Sequence, residues 1–322
     1  MKNDIYLSVI IPAYNSEKYI ANCIESILEL SNIELIIIND GSTDNTLRIC
    51  NKYTENENLY IISIENQGVS NARNIGIAHA RGKFITFVDS DDTIIAAEYS
   101  KMLKLLSEKY KDYDIVEFSY QLVDSEGKII SQNILKDQFL NNEQILQYSL
   151  KNINTKDFCW NKIYSNQLIK NIEFQSFKCS EDYLFNIKCC LKSYKKQVLP
   201  LICYNYRQHE SSVGHERFNE KKLDVIRARE YALDNFNINS SDKEIIKVSI
   251  LDRTYYLIKE AKQVTLNNNL DYLKNVFIKY FNFRGNYRFY TGKLYNRSLK
   301  RLFLFLLLNF RNKIERKHID RI

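Results

Sequence analysis

Glycine and proline are scarce in this chain, which has eight Gly and two Pro among its 322 residues. Their scarcity excludes collagen-like and linker-rich architectures. Long apolar runs are also lacking, because the longest covers only residues 302–308, whereas a helix needs about 20 apolar residues to cross a bilayer. A hydrophobic share of 45% and a charged share of 26% are typical of a globular protein, and the length suits one large domain plus a smaller one.

The cysteines form no recognisable framework. They are odd in number and include no C-x-x-C pair, so neither a disulfide scaffold nor a zinc site is indicated. We expect buried free thiols in a reducing compartment. The chain runs from Met1 into a strand-like segment without a secretory signal peptide, which predicts a cytoplasmic protein. The cysteines are Cys23, Cys50, Cys159, Cys179, Cys189, Cys190 and Cys203.

Glycine-rich phosphate loops are missing too. No G-x-G-x-x-G follows the first predicted strand, and no Walker lysine loop occurs anywhere in the sequence. The chain therefore lacks the usual loops whose backbone N–H groups cradle a diphosphate. If it binds a nucleotide, we expect a divalent metal held by carboxylates to neutralise the diphosphate.

Short apolar runs alternate with helical patterns through the first half of the chain. This alternation predicts an α/β fold with a mostly parallel sheet, in which ligands bind beyond the carboxyl ends of the strands. Polar residues follow three of the predicted strands, where that rule places a site. The predicted strands are residues 8–11, ended by Pro12, and residues 35–38, 59–64 and 84–88.

The pattern changes near residue 219, after which apolar residues repeat at helical spacing. We therefore predict two domains, residues 1–218 around the sheet and residues 219–322 as a helical C-terminal region. Its end is basic, because residues 284–322 contain eleven Lys or Arg and two acidic residues. The apolar run 302–308 between basic flanks predicts a helix lying on an anionic membrane surface, with packing on the protein body as the alternative. No recognised motif favours nucleic-acid binding.

The sequence VDSDD at residues 88–92 directly follows the fourth predicted strand. Carboxylates on a strand-ending turn suit Mg²⁺ or Mn²⁺, since hard cations prefer oxygen ligands. A D-x-D pattern alone is common by chance, and a solvated acidic turn or helix cap is the alternative. Asp92 in particular is a candidate cap for the next helix.

Four blocks together carry a family resemblance. The sequence resembles the family 2 glycosyltransferases, a large inverting family with the GT-A fold, and two further blocks look like those of its capsule- and lipopolysaccharide-building members. The resemblance covers about residues 6–215. The four blocks are SVIIPAYN at 8–15, IINDGSTD at 37–44, NQGVSNARNIG at 66–76 and FVDSDD at 87–92, and the further two are CWNKIY at 159–164 and SEDY at 180–183.

The resemblance implies how the nucleotide is held. Pro12 and Tyr14 match positions that hold the base and ribose, with a strand end and a packed aromatic as the alternative. Asp40 matches an aspartate that accepts a hydrogen bond from the uracil N–H, and helix capping is its alternative. Arg73 matches an arginine at the nucleotide, with a surface helix charge as its alternative. Asp89 matches the D-x-D residue that faces the ribose.

The resemblance also implies a diphosphate and metal site. Asp91 matches the metal-binding residue of the D-x-D pair. Residues 204–212 look like the loop that closes over the diphosphate. There Arg207 would pair with phosphate oxygens, His209 would complete the metal shell or bind phosphate, and Ser211 would donate a hydrogen bond. A structural role is the alternative for His209.

The last two blocks imply which residues act as the catalytic base and which lie on the acceptor side of the site. Asp182 matches the catalytic aspartate, a general base that takes the proton of the acceptor hydroxyl. Its alternative is an acidic residue that stabilises a helix N-terminus, and Glu181 is the rival base on the acceptor side. Trp160, the only tryptophan, lies in the block near the acceptor, with core packing as its alternative.

The resemblance thus implies an inverting glycosyltransferase that uses Mn²⁺ or Mg²⁺. Its donor would be a nucleoside diphosphate sugar, in particular a UDP-sugar, and its acceptor a glycan or lipid-linked hydroxyl in surface polysaccharide synthesis. We expect it in the cytoplasm, peripheral at the inner face of the membrane. A non-catalytic module that binds nucleotide sugar or glycan stays open, as does an interaction protein tethered through the tail. A sugar nucleotidyltransferase is a further alternative, although its glycine-rich phosphate loop is missing.

Overall fold

The computed structural model describes residues 5–151, 157–209, 218–261 and 267–280. Contacts group the chain into two compact units, Met1–Glu216 and Arg217–Ile322. The two domains that we predict at residues 1–218 and 219–322 stay a prediction. The membrane helix predicted for residues 302–308 lies outside the described residues.

The described residues of the first unit form one sheet of ten strands. The strands are β1 (Leu7–Ala13), β2 (Ile33–Asp40), β3 (Leu59–Ile64), β4 (Phe84–Phe87), β5 (Thr93–Ile94), β6 (Ile115–Val123), β7 (Ile129–Asn133), β8 (Gln138–Asn141), β9 (Lys162–Ser165) and β10 (Lys195–Arg207). Their order is β3-β2-β1-β4-β9-β6-β10-β5, with β7 on β6 and β8 on β10. The four strands at one end pair in parallel, as predicted, and β6 and β10 are also parallel, whereas β9 is antiparallel between β4 and β6.

Helices cover both faces of this sheet. Because side chains alternate along a strand, Val9 of β1 packs in the cluster that includes Ile24 on one face, and Ile10 packs with Ala72 on the other. Strands buried on both faces have sequences that are continuous apolar runs, which is the pattern of residues 9–11 of β1. The helices are α1 (Ile20–Leu28), α2 (Thr46–Cys50), α3 (Val69–His79), α4 (Ala96–Glu108), α5 (Asn142–Lys151), α6 (Asn166–Ile169) and α7 (Glu181–Lys192).

Two local features position the site. Gly76 lets α3 approach β1 closely, because a Cβ there would collide with the side chain of Ile10. The first strand does not end at Pro12 as we predicted, since β1 continues to Ala13. Beyond Ile10 it pairs only with β2, so a residue without a backbone N–H is tolerated there.

The described residues of the second unit are helical, which confirms the predicted helical C-terminal region as far as residue 280. Leu251 and Phe277 are buried between its helices, which are α8 (Asp224–Asn235), α9 (Ser240–Ala261) and α10 (Asn267–Tyr280). Across the described ranges, none of the helices has the length and hydropathy needed to span a membrane.

All seven cysteines fall in the described part of the chain, and all are free thiols. Six are buried, and Cys179 is partly exposed. The expectation of buried free thiols is thereby confirmed for six of the seven. The compartment that we infer from them stays a prediction.

Candidate functional site

A cavity of about 960 Å³ opens at the carboxyl ends of β1, β2 and β4. Its wall is formed by the loops after these strands, the first turns of α3 and α7, and aromatic residues of β10 and of the segment before β9. It is lined by Pro12, Ala13, Tyr14, Asn15, Ser16, Glu17, Lys18, Tyr19, Asp40, Asp44, Val69, Ala72, Arg73, Asp89, Ser90, Asp91, Phe158, Trp160, Lys178, Cys179, Ser180, Glu181, Asp182, Tyr206 and His209.

Arg73 is the centre of an ionic cluster in this cavity. One guanidinium nitrogen lies 2.9 Å from Glu181 Oε1 and 2.7 Å from Asp182 Oδ1, and the other lies 3.0 Å from Asp89 Oδ1. The Arg73 side chain is only 4% exposed and covers the ring of Phe174. It is therefore not a surface helix charge. It joins the acidic turn after β4 to the start of α7.

Burial shifts the pKa values within this cluster. Burial raises the pKa of Asp182 to about 6, although the charge of Arg73 acts in the opposite direction, and the Glu181 carboxylate adds to the rise. Burial would lower the pKa of Arg73, but the surrounding charges, Asp182 first, raise that pKa well above its usual value. Arg73 thus stays a cation, while Asp182 changes protonation state close to neutral pH, which suits a general base.

The start of α7 fixes the orientation of Asp182. Ser180 adopts a left-handed conformation with φ of 69°, which turns the chain sharply before the helix and costs on the order of 1 kcal/mol. Asp182 then lies in the first turn, where the helix dipole favours a negative charge. Its Oδ2 atom accepts a hydrogen bond of 3.0 Å from the Cys159 backbone N–H. Both carboxylate oxygens are therefore held.

Asp91 and His209 are brought together, as the resemblance implies for a metal-binding pair. The His209 Nε2 atom lies 2.8 Å from Asp91 Oδ2, and the imidazole stacks on the ring of Tyr19 with centroids 5.2 Å apart. A carboxylate and an imidazole are suitable donors for Mn²⁺, and the carboxylate alone for Mg²⁺. Both residues line the cavity, so the chemistry of their donor atoms fits a divalent ion there.

Asp92 does not cap the next helix, which contradicts that alternative. Its carboxylate is completely buried, and it accepts hydrogen bonds of 2.7 Å from the Arg207 backbone N–H and 2.8 Å from the Tyr204 hydroxyl. Helix α4 begins at Ala96 without a side-chain cap. Burial raises the pKa of Asp92 well above its usual value. Asp92 therefore ties the acidic turn to β10.

Arg207 lies under the acidic turn instead of at the cavity wall described above. Its guanidinium donates to three backbone carbonyl oxygens, at 3.0 Å to Asp91, 3.2 Å to Asp124 and 2.8 Å to Ser125. In this conformation the structure uses Arg207 to support the turn, and its phosphate contact stays a prediction. Ser211 lies outside the described residues.

The predicted nucleotide residues at the carboxyl ends of β1 and β2 all reach the cavity. Tyr14 is half exposed on its wall, next to Pro12. Asp40 is buried and holds the loop before α3, because its two oxygens accept hydrogen bonds from the backbone N–H groups of Gln67 and Gly68, at 2.8 and 2.9 Å. Each carboxylate oxygen has a second lone pair, which leaves acceptor capacity for a base N–H.

Trp160 is packed in an aromatic stack. Its ring is 2% exposed and lies between Phe158 and Tyr204, with both centroid distances 4.4 Å. Only part of it contributes to the cavity wall, beside Phe158 and Tyr206. Neither Phe158 nor Tyr206 was predicted as a site residue, although Phe158 directly precedes the CWNKIY block and Tyr206 lies within residues 204–212. The Cys159 backbone N–H was not predicted either, because no side-chain pattern signals it.

The chain is similar in sequence to known glycosyltransferases. The model of the family described as "Glycosyl transferase family 2" matches residues 8–173. Glycosyltransferase GlyA of Streptococcus pneumoniae is 33% identical over 222 residues, which are 66% of this chain and 32% of that protein. The putative glycosyltransferase EpsH of Bacillus subtilis is 28% identical over 286 residues, 84% of this chain and 81% of EpsH. The chain therefore spans about a third of the first relative and four fifths of the second.

Solved structures show the same fold. The crystal structure of Staphylococcus aureus TarS 1-349 in complex with UDP-GlcNAc matches with a TM-score of 0.67 and 25% identity, over 85% of this chain and 81% of that one. A mannosyltransferase from Pyrobaculum calidifontis, solved with GDP-Man and Mn²⁺, matches at 14% identity with a TM-score of 0.55, over 94% of this chain and 80% of that one. The first likeness confirms the predicted GT-A fold, and the second supports the fold alone.

Proposed function

The chain belongs to glycosyl transferase family 2, and we propose that it transfers a sugar from a UDP-sugar to a hydroxyl group of a glycan or lipid-linked acceptor, with inversion. One observation carries this proposal. Arg73 holds Asp182 and Asp89 at 2.7 and 3.0 Å, so a carboxylate suited to act as base stands beside the carboxylate implied to face the donor ribose. A direct displacement requires a base on the acceptor side of the anomeric carbon and a leaving group on the other.

Asp182 acts in this account as the general base. The acceptor hydroxyl donates a hydrogen bond to the Asp182 carboxylate, which takes the proton while the acceptor oxygen bonds to the anomeric carbon. The bond from that carbon to the diphosphate oxygen breaks in the same step, and the UDP carries away the electron pair. A single displacement without a covalent intermediate inverts the configuration.

Asp182 and Glu181 share the Arg73 guanidinium, at 2.7 and 2.9 Å, so this ion pair does not distinguish the two carboxylates. Asp182 differs by its additional hydrogen bond from the Cys159 backbone N–H. The Cys159 N–H and the Arg73 guanidinium hold Asp182 from two directions, so the carboxylate is oriented before the acceptor arrives. Orientation before binding reduces the entropy lost in reaching the transition state.

Asp91 and His209 would hold Mn²⁺ or Mg²⁺ next to the donor diphosphate. A bound divalent ion supplies positive charge that stabilises the leaving diphosphate. Within the described ranges no group of three or more His, Cys, Asp or Glu side chains has metal-binding geometry. A small protein ligand set agrees with how Mg²⁺ binds in phosphate enzymes, where substrate phosphates and water complete the shell.

The UDP-sugar donor is supported by the structural neighbour solved with UDP-GlcNAc, which also makes an N-acetylhexosamine a reasonable transferred sugar. The acceptor class and a role in surface polysaccharide synthesis are supported by the family resemblance of the CWNKIY and SEDY blocks.

We also propose a cytoplasmic site of action at the inner face of the membrane, supported by the basic residues of 284–322. Deleting residues 297–322 should then abolish sedimentation with anionic vesicles while transfer to a soluble acceptor continues.

A donor screen tests the proposed function. Thermal stability and nucleotide release would be measured with UDP-, GDP-, dTDP- and CMP-sugars, in the presence of Mn²⁺, Mg²⁺ or EDTA. Ligands that bind the native state raise the unfolding temperature. We expect a metal-dependent rise and UDP release with one UDP-sugar. Nucleotide binding without any transfer or donor hydrolysis would contradict the enzyme proposal and favour a binding module.

A further inference from the structure

The peptide group between Phe158 and Cys159 connects the proposed base to a buried ammonium group. On one side, the Cys159 N–H donates to Asp182 Oδ2 at 3.0 Å. On the other side of the same peptide plane, the Phe158 carbonyl oxygen accepts a hydrogen bond of 2.6 Å from Lys162 Nζ. The dipole of this peptide group therefore points from a cation to the Asp182 carboxylate, an arrangement in which each hydrogen bond strengthens the other.

Lys162 is itself held in place by charge and burial. Its side chain is 5% exposed, and Nζ also donates to Asn161 Oδ1 at 2.7 Å. Nζ lies 3.8 Å from the completely buried carboxylate of Glu117, which also pairs with Lys196 at 2.6 Å. Burial would raise the pKa of Glu117, but Lys196 and Lys162 together lower it. The carboxylate is thus a fixed negative partner, and Lys162 cannot turn toward solvent without leaving it.

A second group clamps the same peptide from the helix that carries the proposed base. Asn186 lies four residues after Asp182 on α7, hence on the same helix face. Its Nδ2 atom donates to the Phe158 carbonyl at 3.2 Å and to the Asp157 carbonyl at 2.7 Å. Its Oδ1 atom accepts a hydrogen bond of 2.7 Å from the Tyr164 hydroxyl. Both donors to the Phe158 carbonyl thus restrict rotation of the peptide plane.

We propose that Lys162 is a positioning residue for Asp182, acting through the Phe158–Cys159 peptide group. Its ammonium, held by Glu117, fixes the peptide plane so that the Cys159 N–H keeps donating to the carboxylate. This hydrogen bond orients the base and favours its charged form. The electrostatic part of the inference concerns the free protein, whereas its consequence for turnover rests on the proposed function.

Five groups other than this peptide face Asp182. They are Arg73 from α3, Asp89 after β4, Glu181 on the same helix, the Cys159 thiol and the Tyr164 hydroxyl of β9. Burial raises the pKa of Asp182 to about 6, and the Cys159 N–H counteracts part of that rise. Loosening the peptide plane should therefore raise the pKa of Asp182 further without changing these five groups.

Lys196 provides a matched control. It is as buried as Lys162 and pairs with the same Glu117 carboxylate, but in the described structure it donates to Ser149 on α5 and not to the Phe158 carbonyl. Lys162→Met and Lys196→Met each remove one buried ammonium from the same cluster. Only the first removes the donor to the peptide group that contacts Asp182.

The experiment is a pH titration of the aspartate carboxyl carbons by NMR in the free full-length protein, with Asp182→Asn to assign the signal. Lys162→Met should raise the midpoint of Asp182 by roughly half a pH unit or more, a threefold change in proton affinity. Lys196→Met should leave it within about a fifth of a unit. Equal shifts in both variants, or none in Lys162→Met, would overturn the proposal.

A second pair of variants covers the case in which Lys162→Met does not fold. Asn186→Leu removes the other donor to the Phe158 carbonyl, whereas Tyr164→Phe keeps that donor and removes the hydroxyl that donates to Asn186 Oδ1. The first should raise the midpoint of Asp182 more than the second, and the reverse order would also overturn the proposal. If the wild-type protein shows no turnover with any donor, the proposed function fails, yet the NMR midpoints still decide this inference.

Discussion

Arg73 Nη1 lies 2.7 Å from Asp182 Oδ1, in a contact that joins α3 to the start of α7 across 109 residues of sequence. The same guanidinium reaches Asp89, so one side chain couples the implied donor turn to the proposed base. An arginine buried among three carboxylates supports both structure and chemistry. Replacing Arg73 should therefore affect both the stability of the fold and the transfer reaction.

Arg73→Met should destabilise the first unit by about 3 kcal/mol, because it leaves buried carboxylates without their cation. Urea unfolding at neutral pH measures the change. Lys101→Met is the control, since it breaks an exposed ion pair with Glu98 and should cost less than about 1 kcal/mol. Similar losses for the two variants would contradict the buried ionic cluster.

The kcat/KM of the free enzyme should rise with pH through about 6, because Asp182 must be deprotonated to accept a proton and burial raises its pKa to that value. The free energy of unfolding changes with pH in the opposite direction. A carboxyl whose folded pKa exceeds its unfolded value stabilises the fold below its unfolded pKa, and that stability is lost as pH rises through 6. Asp182→Asn should reduce both dependences, and part of each should persist because burial also raises the pKa of Asp89 to about 6. A folded variant in which neither dependence changes would contradict the assignment.

Asp91→Asn should weaken Mn²⁺ binding, measured with the UDP complex by the free Mn²⁺ signal in electron paramagnetic resonance. One of two protein ligands is lost, so an increase in Kd of about tenfold or more is expected. His209→Gln should act in the same direction. His79→Gln is the matched control, because His79 is an exposed helix residue that contacts the Ile75 carbonyl. An equal effect of His79→Gln would argue against the Asp91–His209 site.

The N-terminal half of the fold could be predicted from the sequence because β1, β2 and β4 are buried on both faces. Such strands give apolar runs, as at residues 35–38 of β2. The partly exposed edge strand β3 also falls at residues 59–64 as predicted. The second half of the fold could not be predicted from the sequence. Glu117 is a charged residue in the middle of the buried strand β6, and only the tertiary approach of Lys162 and Lys196 explains it.

The site was predictable where a short motif carries the chemistry and not where long-range contacts decide the role. The motif around Asp91 predicted its side chain at the cavity. By contrast, Asp92 and Arg207 lie 115 residues apart, and their hydrogen bond assigns both to support of the turn. The contact of Asp182 with a backbone N–H leaves no side-chain signature at all.

The most direct test of the account is single-turnover sugar transfer by Asp182→Asn, compared with Glu181→Gln, at saturating donor and metal. The two residues are neighbours in the first turn of α7 and share the Arg73 guanidinium, so the pair separates the base from its acidic neighbour. We predict that Asp182→Asn lowers the transfer rate by about a thousandfold with donor binding retained, whereas Glu181→Gln loses about tenfold or less. Transfer by a folded Asp182→Asn protein at a rate near that of the wild type would contradict the account.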